Sequence, residues 1–180
     1  MVDLQYSIHQ PNTFINHHRV DLLPDWSVSV ESVMVILQPC SVALNEITPV
    51  TEQQKKQLRR RFLYWAKQLI AALHQEGYAA DSFDPQTGLP YYSHPGSRTL
   101  DDVAVVQSVL GYPLVPSGEC RLVEHPIWGC GVFPSIVVSS APPSVLANIT
   151  HRLWHAVKRP GRLKPPALAF ADGKGSRIPR

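Results

Sequence analysis

Residues 118–129 read Gly-Glu-Cys-Arg-Leu-Val-Glu-His-Pro-Ile-Trp-Gly and bring a thiol, a guanidinium, an imidazole and an indole within a dozen positions. Two kinds of chemistry are open to Cys120. As a thiolate it is a nucleophile or a soft metal ligand; as a thiol it is a small, packable apolar group. Arg121 and a protonated His125 favour ionisation, whereas Glu119 and Glu124 oppose it, so local charge leaves both readings open. A Cys120–His125 dyad is disfavoured, because residues five apart on a regular strand point to opposite faces. His9, His17 and His18 could approach a metal, but nothing in their spacing fixes a third ligand, and exposed loop histidines are the plainer reading. The chain has no GxSxG elbow, Walker loop, strand-linked GxGxxG or HExxH.

These side chains must be positioned by a mixed set of elements. Val2, Leu4, Tyr6 and Ile8 alternate with polar residues, the period of a strand with one wet face. Residues 11–26 are polar and irregular, a loop with room for one helical turn. Residues 32–38 are continuously apolar and β-branched, as in a central strand covered on both sides. Leu58, Phe62, Trp65, Leu69 and Leu73 recur at spacings of three and four, and predict a helix over residues 52–76. Thr51 and Gln54 read as its capping box and Gly77 as its left-handed stop. Asp84-Pro85-Gln86-Thr87-Gly88 predicts a turn into a short strand at 89–92. Thr99 and Asp102 predict the cap of a second helix ending at Gly111. Two further strands, 120–127 and 132–139, read as a hairpin joined through Trp128-Gly129-Cys130-Gly131, with Pro134 marking an edge or a bulge. The sum is an α+β sandwich, mainly antiparallel sheet packed with helices.

The chain has 180 residues, 44% hydrophobic and 17% charged, which suits one globular domain plus a tail. Its longest apolar runs, such as residues 33–37, are far too short to span a bilayer, and the start lacks the basic segment of a signal peptide. Three cysteines make no disulfide framework, so the reading is a protein of a reducing, cytoplasmic compartment. The formal charge of +3 is uneven: residues 151–180 hold eight Lys or Arg and one Asp, and the first 150 hold nine basic against thirteen acidic groups. The domain is therefore taken as 1–150. Residues 151–180 form a basic Pro/Gly-rich tail, expected to be largely disordered, with order lost beyond about Lys158. Its charge suits nucleic acid or anionic lipid, but with no stacking platform a solvated terminus is preferred over specific nucleic-acid binding.

Residues 72–89, carrying EGYAAD and DPQTGL, together with SGECRLVEHPIWG and the following strand to Ser140-Ala141-Pro142, resemble the methylmalonic aciduria and homocystinuria type D protein family. These are the CblD (MMADHC-like) adapters of vitamin B12 handling, and the similarity runs from Val2 to about Ile149. The resemblance implies a truncated nitroreductase-like sandwich without flavin and a non-enzymatic role in cobalamin metabolism. It also implies a partner, a cobalamin-processing chaperone of the CblC type, and a cysteine thiolate from the GECR segment as ligand to the cobalt of cobalamin. Cys120 is the residue here that can supply it, with His125 and Trp128 shaping the surrounding hairpin and joining it as cofactor-binding candidates; Trp128 serves equally well as a core anchor, and His125 as a structural hydrogen-bonding group. Human-like members carry two neighbouring cysteines where this chain has Glu119-Cys120, so the resemblance leaves open whether ligation is lost or passes to Cys120. The long extension that bears mitochondrial targeting in the animal proteins does not precede the similar region, which implies a cytosolic, bacterial-type protein. From a different class, a small thiol-dependent redox enzyme of nitroreductase ancestry is the competing expectation.

Overall fold

In the computed structural model, which describes residues 4–118 and 120–158, the long amphipathic run becomes helix α3 (Pro49–Gln75). Its stripe, Leu58, Phe62, Ala66, Leu69, Ile70 and Leu73, is buried. The helix starts three residues earlier than the capping motif predicted. Thr48 is the N-cap: its hydroxyl accepts from Thr51 N at 3.2 Å, Thr51 Oγ1 accepts from Thr48 N at 2.9 Å, and Pro49 occupies the first turn. Proline is suited to that position because its missing N–H has no intrahelical partner there. Gly77 (φ +84°) follows the last turn as expected.

Four strands form one antiparallel sheet in the order β1 (Gln5–His9), β2 (Ser32–Pro39), β6 (Val132–Ser139), β3 (Ala80–Phe83). The predicted central strand is β2, buried along all but its last residue. Successive residues serve opposite faces. Met34, Ile36, Val137 and Ala80 face α3 and helix α5 (Pro143–Lys158). Val33, Val35, Leu37, Ile136, Val138 and Phe83 face helices α1 (Thr13–His17), α2 (Arg19–Leu22) and α4 (Asp102–Leu110). The architecture is thus α+β, an antiparallel sheet between two helical layers. Pro134 pairs with Leu37, but β3 reaches only residues 136–139 of β6, so the proline lies where the strand has a free edge.

Several expectations are corrected. Residues 120–127 and 132–139 do not form a hairpin: β5 (Cys120–Val123) pairs with β4 (Leu114–Ser117) in a separate two-stranded ribbon, while β6 joins the main sheet. The burial of β6 from Ser135 to Ser139 favours a position between two strands, which a ribbon partner cannot offer. Residues 89–92 are not a strand; Pro90 makes one isolated bridge to Phe83. The cap of α4 is Asp101, whose carboxylate accepts from Val103 N and Ala104 N at 3.0 and 3.1 Å, rather than Thr99. Residues 11–26 hold two short helices instead of one turn. The compositional change at Thr150 falls within α5, and the tail from residue 159 lies outside the described residues.

Candidate functional site

The β4–β5 ribbon carries Cys120 at its tip. Ser117 pairs with Cys120 across a two-residue turn opened by Gly118, whose φ of +58° is strained for any residue with a side chain. Glu119 lies outside the described residues. Cys120 is exposed and unbridged; Cys40 and Cys130 are half-buried. The Ser117 hydroxyl donates to Asn45 O at 2.9 Å, tying the tip to the loop before α3.

Arg121 directs its guanidinium to Asp101, with Nη2 3.0 Å from Oδ2 and both side chains more than half exposed. A pair this open contributes about 0–1 kcal/mol, so its main effect is to fix the ribbon's lie against the start of α4. It also gives the guanidinium beside Cys120 a carboxylate partner.

His125 is not beside Cys120. The strand ends at Val123, and His125 is 3% exposed beneath a tight turn closed by His125 N to Gly129 O (2.9 Å) and Gly129 N to His125 O (2.8 Å). Its Nδ1 accepts from the N–H groups of Ile127 and Trp128 at 3.1 and 3.2 Å, which leaves Nε2 as the donor to Gln5 Oε1 at 3.0 Å. Both nitrogens are therefore engaged, and the ring is the turn's internal scaffold. Trp128 stacks on it at 4.2 Å and 15°, and Tyr112 meets it edge-on at 5.3 Å. Trp128 is partly buried against the core, whereas Ile127 at the turn's apex is 75% exposed. The structure brings His125 and Trp128 together and sets Cys120 apart at the ribbon tip. Gln5 and Tyr112 went unnoticed in the sequence; Gln5 looked like one more solvent-facing residue of an alternating strand.

Burial pushes the His125 pKa below the ordinary histidine value, and His9 shifts the same way for the same reason. The unfolded chain then takes up protons first as pH falls below about 6.5, so stability present above that value declines as pH drops through the lower folded pKa values. Between about pH 7.5 and 5.5 the Tm of wild type is expected to lose ground against that of His125→Asn, which keeps an oxygen for the turn amides but has no ring to protonate.

His17 bonds Thr13 O and His18 faces Asp21, while His9 bonds Ser7, so the three candidate histidines have separate partners. Among the described residues, no cluster of three or more His, Cys, Asp or Glu is arranged to hold a metal ion. A cysteine at an exposed tip can still act as one ligand to a metal whose remaining ligands come from elsewhere.

The molecule is thus an α+β domain whose β4–β5 ribbon carries an exposed, unbridged cysteine, Cys120. The chain belongs to the methylmalonic aciduria and homocystinuria type D protein family, whose model matches residues 2–151. It is similar to the cobalamin trafficking protein CblD of Homo sapiens, 28% identical over 113 residues that cover 61% of this chain and 38% of that protein. The protein of the same name from Gallus gallus is 25% identical over 122 residues, 68% of this chain and 41% of that one. The counterpart from Rattus norvegicus is 26% identical over 120 residues, covering 67% and 40%. The chain spans about two fifths of the length of the curated relatives it matches.

Proposed function

We propose that this chain is a non-enzymatic adapter in cobalamin trafficking, which docks on a cobalamin-loaded chaperone of the CblC type and offers the Cys120 thiolate to the cobalt. The observation that carries this reading is the placement of Cys120, exposed and unbridged at a ribbon tip where a bulky corrin held by another protein can approach. Thiolate is a soft ligand that later first-row metals accept, and Cys120 is the residue that would supply it. The relatives' printed name, cobalamin trafficking protein, supports the cargo. In this reading Trp128 and the exposed Ile127 lie on the docking side, and His125 positions both by holding their amides. The sheet and its helices then represent a truncated nitroreductase-like sandwich that works without flavin, in the cytoplasm.

The test mixes the protein with cobalamin and the chaperone and records the visible spectrum. Wild type is expected to shift the cobalamin bands and Cys120→Ser is not; identical spectra remove ligation and leave docking alone. The protein as purified is expected to be colourless, whereas bound flavin favours a thiol-dependent redox enzyme of nitroreductase ancestry.

A further inference from the structure

Of the nine basic side chains in the first 150 residues, six fall at positions 55–67 of α3: Lys55, Lys56, Arg59, Arg60, Arg61 and Lys67. The helix carries one acid, Glu52, and none over residues 53–75. Three of the six cations are engaged within the molecule. Lys55 pairs with Glu52 at 3.0 Å, Arg59 pairs with Asp84 at 2.6 Å, and Arg61 donates through Nε to Gln38 Oε1 at 2.6 Å. The side chains of Lys56, Arg60 and Lys67 are exposed and have no partner among the described residues.

At 3.6 residues per turn these three share the helix face opposite the buried stripe and are spread over about 16 Å of its length. The same ridge presents Tyr64, 64% exposed, and Val50, 57% exposed, and Ile47, 89% exposed, stands just ahead of it. Beside it lies a depression of about 530 Å³, lined by Gln57, Leu58, Arg60, Arg61 and Tyr64. Lys56 and Arg60, four apart, repel each other, whereas an acid at either position would strengthen the helix. A domain that is net acidic over residues 1–150 thus gathers free positive charge on one helical ridge, a segregation that favours a polyanionic partner.

We propose that the outer ridge of α3 rests on an anionic lipid surface, with Lys56, Arg60 and Lys67 facing headgroup phosphates and Tyr64 and Val50 entering the interfacial zone. Long basic side chains around exposed apolar groups are what such a surface takes up, because their stems lie against apolar surface while their charges stay in water. A planar leaflet offers anions all along a straight row of cations, with no need for a matched pattern of carboxylates. Single-stranded nucleic acid fits less well: it calls for a groove with successive stacking platforms, and the ridge has one aromatic ring. The ridge belongs to the helical layer opposite the ribbon, whose Val123 packs in the other core cluster. A domain lying on a membrane through α3 therefore leaves the ribbon and Cys120 on the aqueous side.

Co-sedimentation of the full chain with vesicles of phosphatidylcholine and phosphatidylglycerol at about 3:2, against vesicles of phosphatidylcholine alone, tests the proposal. In about 0.05 M salt the anionic vesicles are expected to bind the protein about tenfold or more strongly, and about 0.5 M salt is expected to abolish that preference. Each basic residue at such a surface is worth about fivefold in partitioning, so Lys56→Gln, Arg60→Gln and Lys67→Gln combined are expected to lower it on the order of 100-fold, and Arg60→Gln alone about fivefold. All three positions are exposed, so the variants are expected to keep the wild-type circular dichroism. Equal binding of wild type to both kinds of vesicle overturns the proposal. So does a triple variant that partitions like wild type, which assigns the attraction to the basic residues from 159 onward. Where the anionic vesicles bind no protein but polyglutamate or single-stranded RNA does, the ridge serves an acidic protein or a nucleic acid and the membrane reading falls. Should the triple variant fail to fold, the vesicle comparison on wild type and the Arg60→Gln protein decide.

Discussion

Asp81→Ala is expected to lower the unfolding free energy by about 2–4 kcal/mol, read from the urea midpoint at constant m-value. Asp81 lies in β3 with no solvent exposure. One carboxyl oxygen accepts from Ser82 N at 2.7 Å, Tyr91 N at 3.2 Å and Tyr92 N at 3.1 Å; the other accepts from Tyr92 N at 3.1 Å and Ser93 N at 2.6 Å. It thereby fastens the segment after Pro90, which has no strand ladder of its own. Truncation leaves these amides short of acceptors, although Tyr91 N retains Ser82 O at 2.9 Å. Asp81→Asn is expected to recover little, because the substituted amide group turns a donor toward amides that are donors too. Trp26 reports the change directly: its Nε1 donates to Ser93 Oγ at 2.9 Å, so release of the segment alters its fluorescence.

Phe62→Ala is expected to cost about 3–5 kcal/mol, again by urea unfolding, with circular dichroism below the transition unchanged. The ring is 2% exposed and sits where α3 meets the sheet and α5, beside Met34, Ile36, Leu69 and Ile149 in one cluster. A helix of 27 residues cannot slide to close a hole under its middle without losing contacts at both ends, so the void persists.

How much of this was readable in advance follows the range of the signals. The α3 stripe was legible because helix period depends on neighbours three and four apart, and β2 because burial on both faces writes an unbroken apolar run. The cap of α3 was misplaced because Thr48 and Thr51 both fit a capping pattern and only Pro49, at the first turn, discriminates between them. The hairpin expected around Trp128 failed for a different reason. Glycines at 129 and 131 do mark a turn, but that turn closes on His125 within its own segment and then hands the chain from the ribbon to the main sheet. Pairing is decided by what lies across the sheet, and sequence neighbours carry no record of that. The same limit hid the support of the site. Cys120 stood out by its chemistry, whereas the bond from Gln5 to His125 links residues 120 apart in sequence and exists only once β1 has taken its edge position. Asp81 was visible only as part of a family motif; its work as an acceptor for Tyr91, Tyr92 and Ser93 depends on a loop whose irregular backbone has no period to read.

The central proposal, that the Cys120 sulfur reaches the cobalt of a cobalamin carried by another protein, is tested most directly by X-ray absorption at the cobalt edge. The sample is the protein mixed with its cobalamin-loaded chaperone, compared with the same mixture containing Cys120→Ser. A sulfur scatterer in the first shell of cobalt for wild type, lost in the variant, is the predicted result. A first shell of nitrogen and oxygen alone in both samples, with the two proteins shown to be associated, contradicts it.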